Sequence, residues 1–327
     1  MINYILRRLG YMVVTLVIVA ILGYVIIQLP PGSYVDAEVN RLRQQGGNLT
    51  QGQIDALYRR YGLDKPAYVQ FWLWISHFVQ GDFGESFQYN MPVSSLIFGR
   101  LGLTLVFSIL SLILSWVIAI AAGVYSATHR YTIPDYLITV LQFIGLSVPN
   151  FLLALVLMVF AQDVFHMQVG GLFSSKYTDA AWSFGKFLDL LNHMWIPVIV
   201  IAASNTAWLS QVMRANLLDV LNMQYVQTAR AKGLKENVVT WKHAFRNAIH
   251  PLIMVLGGSL PGLISGETIV ALVLNLPTTG PLYFTALIQK DMYLAGSFLV
   301  FLAVALLIGN LGADILLAWV DPRIRYE

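Results

Sequence analysis

The chain has 327 residues, 57% of them hydrophobic and 11% charged, with a mean hydropathy of +0.66 and a formal net charge of +3. Soluble domains carry about 25% charged residues, so this composition excludes a water-facing globule and places the chain in a bilayer. The absence of cysteine excludes a disulfide scaffold, a Cys-ligated zinc site and thiol redox chemistry.

A transmembrane helix needs about 20 mostly apolar residues. Six stretches meet that requirement: 9–29, 101–127, 136–162, 194–213, 251–274 with one acid (Glu267), and 295–320 with one acid (Asp314). The expected fold is therefore an all-α integral membrane protein with six transmembrane helices. Arg7 and Arg8 precede the first stretch as they would in a secretory signal. The apolar run is longer than the usual h-region of about 7–15 residues, and no small-residue cleavage site follows, so it is read as a retained helix stopped by Leu29-Pro30-Pro31-Gly32. Two shorter apolar pieces, 71–79 and 184–191, are read as interfacial or docked helices.

Six spans with the N-terminus inside leave four segments in the cytoplasm: 1–8, 128–135, 214–250 and 321–327. They hold 11 of the 20 Lys and Arg residues with five acids, whereas the outer segments hold nine with ten acids. This asymmetry follows the positive-inside rule, so the basic balance reports topology and not nucleic-acid binding. The organisation read from it is a cytoplasmic stub with the first helix (1–29), an external lobe (30–100), a five-helix core (101–320) and a cytoplasmic tail (321–327).

In the external segment, 51–61 is helix-like and 62–66 (GLDKP) is a turn. The triplet at Asn48 is a glycosylation sequon whose chance occurrence is common. Segment 214–250 is basic, amphipathic and long enough for two helices parted at Gly233, a C-cap glycine. Ala229, Ala231 and Gly233 leave the end of its first helix with little bulk, which suits close approach by another protein.

The string YVQTARAKGL at 225–234 followed by HAFRNAIHP at 243–251 resembles the cytoplasmic coupling motif of bacterial ABC importer permeases, in particular the oligopeptide/dipeptide/nickel permease family. Similar to that family as well are YILRR at 4–8, YGLDKP at 61–66, GDFGES at 81–86, SVPN at 147–150 and DPRIRY at 321–326. The resemblance covers nearly the whole chain. It implies a type I ABC importer permease fold in the bacterial inner membrane, non-catalytic and with both termini cytoplasmic. The implied partners are a second homologous permease, two cytosolic ATPase subunits and an external substrate-binding protein. Gln227, Thr228, Ala229, Arg230, Ala231, Lys232 and Gly233 would form the ATPase-coupling helix. No cofactor is expected on this chain, ATP and Mg being used by the ATPase subunits. In agreement, the sequence has no phosphate-cradling G-x-x-x-x-G-K-[ST] loop.

Two departures stand out. Gln227 occupies the leading position of the coupling motif, where an acid is usual. At 270–280 the chain reads VALVLNLPTTG, with Ala271 at the usual acid and Glu267 one turn earlier. The second departure is more similar to members assigned to cello- and chito-oligosaccharides than to typical peptide permeases, and it tilts the expected cargo toward oligosaccharide over di- and oligopeptide.

Irregular backbone at membrane depth persists only where protein or a watery cavity receives its polar groups. Pro149-Asn150 breaks the third stretch and the 257–262 run GGSLPG loosens the fifth. These, with Asn205, Ser259, Pro261 and Glu267, are the expected translocation-path residues. A membrane-embedded protease would need G-x-S-x-G, H-E-x-x-H or G-x-G-D groups within spans, and none occurs. An ion-coupled secondary transporter is the alternative. It would need inverted repeats and embedded coupling acids, for which Glu267 alone is thin support.

Overall fold

The computed structural model describes residues 2–46, 49–167, 170–178, 180–265 and 267–320. The sequon's Asn48 and the tail 321–327, with its family-like DPRIRY, lie outside the described residues. The described chain is helical. It begins with α1 (Ile2–Gln28), α2 (Tyr34–Gln44), α3 (Gln51–Arg60), α4 (Ala67–Val79) and α5 (Val93–Thr128). There follow α6 (Ile133–Ser147), α7 (Asn150–Phe165), α8 (Phe184–Leu221) and α9 (Gln224–Ala231). Next come α10 (Glu236–Val238), a π-helical stretch at Val239–Ala244, α11 (Phe245–Ala248), α12 (His250–Gly258) and α13 (Leu260–Ser265). The last three are α14 (Thr268–Val273), α15 (Thr279–Ile288) and α16 (Met292–Val320).

By length and apolarity, α1, α5, α8 and α16 can each cross a bilayer, and two bent pairs raise the number to six. One pair is α6 and α7, turned by 103° at the Val148-Pro149 step. The other runs from α12 into the 260–273 stretch, turned by 46°. The first break falls where the sequence places it, because Pro149 withholds an N–H and Val148 before it is extended; the second falls within the GGSLPG run.

One expectation changes. Segment 184–191 is not a separate interfacial helix; it forms the first two turns of the 38-residue α8. Its charges find partners in the preceding loop. Lys186 Nζ donates to the carbonyls of Thr178 (3.3 Å) and Ala180 (2.6 Å), and the Asp189 carboxylate accepts from the Ser174 N–H and hydroxyl, both at 2.8 Å. With those charges satisfied, nothing stops the helix before Met194. Pro197 is accommodated inside it.

The chain divides into two compact units. The first gathers Met1–Gly102 and Thr278–Leu307. Capping boxes start its small helices: Ser33 and Asp36 cap each other reciprocally at α2, as do Thr50 and Gln53 at α3. Its core centres on Tyr24, Tyr34, Trp74, Phe87 and Met292. Trp74 is fully buried, and its indole N–H donates to Ser297 Oγ at 3.2 Å. Tyr34, Tyr61, Phe87 and Tyr293 meet edge-on at 5.0–5.3 Å between ring centroids, the arrangement the ring quadrupole favours. Asp291 is also fully buried here, accepting from Ser86 Oγ (2.5 Å) and from the N–H groups of Gln88 (3.1 Å) and Leu294 (3.2 Å). Desolvation pushes its carboxyl above the usual range even so.

The second unit holds Leu103–Pro277 and the stretch from Ile308. One of its cores joins Ala119, Leu209, Met213 and Leu217 to Val226, Ala229, Val239 and Leu252. Another joins Phe107, Ala154, Ile196 and Val200 to Val270 and Leu274. Small residues let backbones approach within this unit. A Cβ on Gly257 would stand 2.7 Å from the carbonyl oxygen of Gly309, which sits one turn from Ala313. Small residues four apart are the usual means of close helix packing in lipid, where burying apolar side chains supplies no driving force.

Candidate functional site

Within the second unit, α5, α8 and the α12–α14 stretch enclose a cavity of about 300 Å³. Its polar lining is Ser108 and Ser111 from α5, Asn205 from α8, and Ser259 and Glu267 from the broken stretch. Trp116 and Trp208 supply aromatic walls. Each polar group follows from local structure. Thr104, Ser108, Ser111 and Ser115 are spaced by four, three and four residues, so they form one buried stripe along α5. Inside the helix, Ser111 Oγ donates to the Phe107 carbonyl at 2.7 Å and Ser115 Oγ to Ser111 at 2.6 Å. The Ser111 and Ser115 hydroxyls can thus be buried without an orphan donor.

Of the expected path residues, Asn205, Ser259 and Glu267 line this cavity together. Asn150 does not line it but reaches Glu267, its Nδ2 donating to Oε1 at 3.1 Å. This contact brings the break at 148–150 onto the break at 259–267. Pro149 and Pro261 contribute by ending or starting helices, not by lining. The serine stripe and both tryptophans were absent from the expected set. The 4-3-4 spacing of hydroxyls from Thr104 to Ser115, within an apolar stretch of α5, is the signal that marks the stripe.

A second polar centre was also absent from the expected set. Asp135, 2% exposed, takes a two-pronged contact from Arg214: Nε to Oδ1 at 3.1 Å and Nη2 to Oδ2 at 3.0 Å. The Tyr131 N–H adds 3.0 Å to Oδ2. Deeper along the same helices, Gln142 Nε2 donates to Ser210 Oγ at 2.6 Å. These contacts fasten α6 to α8.

The coupling segment has the expected shape. Helix α9 ends at Ala231, and Gly233 takes φ +76°, the left-handed geometry that closes a helix. The seven expected residues divide by face. Gln227, Thr228, Ala231, Lys232 and Gly233 are exposed. Ala229 is 6% exposed and packs with Val226 on the unit's own core, so its smallness serves internal packing. Arg230 braces the turn, its Nε and Nη2 donating to Glu236 at 2.9 and 3.2 Å. Gln227 also donates to the Leu221 carbonyl at 3.1 Å. The exposed face of α9 therefore carries Gln224, Tyr225, Thr228 and Ala231.

Residues 119–326 match the family model described as the binding-protein-dependent transport system inner membrane component, and residues 1–108 match the model of its N-terminal part. The chain belongs to this family of importer permeases. It is similar over nearly its whole length to the oligopeptide transport system permease AppB of Bacillus subtilis, at 38% identity over 99% of both chains. It is 33% identical to the glutathione transport system permease GsiC of Salmonella paratyphi A and 32% to that of Escherichia coli O1:K1, the former over 100% of both chains. The permease is thus a non-catalytic, multi-pass membrane subunit of an ABC importer with the type I fold. It works with ATPase subunits and a substrate-binding protein. Family membership supports ATP-driven import over the ion-coupled alternative.

Proposed function

We propose that this permease passes di- and oligopeptides across the inner membrane by alternating access, as one half of a heterodimer with a second, homologous permease. The carrying observation is full-length similarity to permeases named for oligopeptide and glutathione transport, at 38% and 33% identity. The oligosaccharide reading rests on the 270–280 departure alone, and none of the relatives named above is an oligosaccharide permease. A cavity with neutral polar groups, two indoles and one carboxylate suits a zwitterionic cargo.

In this reading the basic segment 214–250 and both termini lie in the cytoplasm, and residues 30–100 form the outer lobe. The coupling face is the exposed side of α9 with Lys232 and Gly233, seated in a groove of an ATPase subunit. Asn150, Asn205, Ser259 and Glu267, with Pro149 and Pro261 shaping the breaks, belong to the path. The chain itself binds no cofactor, and ATP with Mg acts on the ATPase subunits.

The test is uptake by the purified importer in liposomes, supplied with its binding protein and ATP. Labelled di- and tripeptides should accumulate, and cello- and chito-oligosaccharides should not. Accumulation of the oligosaccharides alone would overturn the peptide reading. Uptake that continues without ATP, driven by an ion gradient, would overturn the ATP-driven one.

A further inference from the structure

We propose that Glu267 and the walls of its cavity form an intramembrane binding site for a primary ammonium group, the amino terminus of the peptide cargo. The inference rests on the peptide reading above and adds the group the path recognises.

The cavity presents a carboxylate and several neutral acceptors, and no cationic donor. Ser111 Oγ gives its proton to Phe107 O at 2.7 Å, and Ser259 Oγ gives its proton to Leu256 O at 2.7 Å. Asn205 Nδ2 donates to Ile201 O at 3.2 Å, along its own helix. The two hydroxyls have turned their protons onto backbone carbonyls, so lone pairs are what they offer to a guest, and Asn205 adds its carbonyl oxygen. The Ser108 hydroxyl, the second N–H of the Asn205 amide and the indole N–H groups of Trp116 and Trp208 are the other side-chain donors in the lining, and none of them carries a positive charge.

Charge narrows the guest further. Glu267 is the only charged residue among the described residues that line the cavity, and no Lys, Arg or His joins it. Its Oε1 accepts from Asn150, a neutral amide, and its Oε2 takes no hydrogen bond from a described residue. An intramembrane carboxylate without a cation is costly unless a partner arrives. Asp135 differs here, because a guanidinium and a backbone N–H already satisfy it.

An ammonium supplies what the cavity lacks: one positive charge and three donors. The faces of Trp116 and Trp208 also attract a cation positioned over them. A carboxylate guest would meet like charge and no cation, so the amino end of a peptide is the end this site receives.

The test uses the purified importer complex in detergent, without its binding protein, and saturation-transfer NMR. Leucinamide carries the ammonium, and N-acetyl-leucinamide has a similar shape without it. Leucinamide should show saturable transfer that weakens at least tenfold in affinity in Glu267→Gln and is partly retained in Glu267→Asp. N-acetyl-leucinamide should show only the background common to all variants. Equal leucinamide binding by wild type and Glu267→Gln, or no saturable binding to wild type, would overturn the proposal. A Glu267→Gln complex that assembles and melts like wild type assigns any loss to the site and not to folding; one that does not is replaced by Trp208→Leu, which should weaken leucinamide binding without touching the carboxylate. Transport plays no part in this readout, so the peptide reading fails separately, in the uptake assay.

Discussion

Two carboxylates of the second unit, Asp135 and Glu267, have been given opposite surroundings. Asp135 is closed: 2% exposed, gripped by both prongs of Arg214 and by a backbone N–H. Glu267 is open: it borders a cavity, holds a single neutral donor and leaves one oxygen without a described partner. Asp135 stands in the first turn of α6 and Glu267 at the break before α14; a buried charge at either place is costly without a partner. A fully satisfied acid there fastens helices, whereas a partly satisfied acid beside a cavity is available to a passing group.

The largest effect that could break this contrast lies at the closed pair. Asp135→Ala should destabilise the permease by about 3–5 kcal/mol, the usual cost of stranding one partner of a buried pair. Replacing both Asp135 and Arg214 with apolar residues should recover most of the loss, read as the melting midpoint of the detergent-solubilised complex. A negligible single-mutant loss would mean that the pair is not a clamp.

The neighbouring contact should matter less. Gln142→Leu removes one hydrogen bond to Ser210, and intramembrane hydrogen bonds contribute about 0.6 kcal/mol on average, reaching about 1.7 kcal/mol. Within that range, chemical unfolding should resolve a small but real shift.

Glu267→Gln sharpens the other side of the comparison. Stability should change by less than about 1 kcal/mol, since the amide is isosteric and only one hydrogen bond is altered, while ATP-dependent peptide uptake falls. A large loss of stability with uptake per folded complex unchanged would make Glu267 a second clamp.

The smallest expected effect is among the short helices of the first unit, outside its candidate membrane spans. The Tyr58 hydroxyl bonds the Asp36 carboxylate at 2.5 Å and holds its pKa below the ordinary value, with Ser33 assisting. A depressed carboxyl favours the folded state above the unfolded value of about 4, and that contribution is lost as pH falls through the folded value. The stability of these helices should decline across that acidic window in wild type and less in Asp36→Asn. The difference should stay below about 1 kcal/mol because the pair faces solvent.

The two carboxylates were not equally legible in the sequence. Glu267 stands alone in an apolar run, so hydropathy exposes it, and the GGSLPG string beside it announces irregular backbone. Asp135 and Arg214 sit at the ends of their apolar runs, where charge is ordinary, and 79 residues separate them. Only folding brings them together. The inward face of α9 was legible in principle, because Val226 and Ala229 are three apart on a helix whose other positions, Ala231 excepted, carry polar groups. Reading Ala229 for its size alone concealed that spacing. The continuity of α8 was hidden for a different reason: Lys186 and Asp189 look like a polar boundary until the loop at 174–180 satisfies them. Span positions, both breaks and the Gly233 stop come from chain-local physics, and the sequence carries them directly.

In the proposed function this permease is driven through the exposed face of α9. That coupling is tested most directly by ATP hydrolysis in the assembled importer carrying Thr228→Glu with Ala231→Glu, two exposed positions whose change leaves the core around Ala229 intact. The expected result is a complex that still inserts and melts like wild type but loses stimulation of hydrolysis by the loaded binding protein, with uptake falling at least tenfold. Wild-type stimulation and wild-type uptake in that variant would contradict the claim.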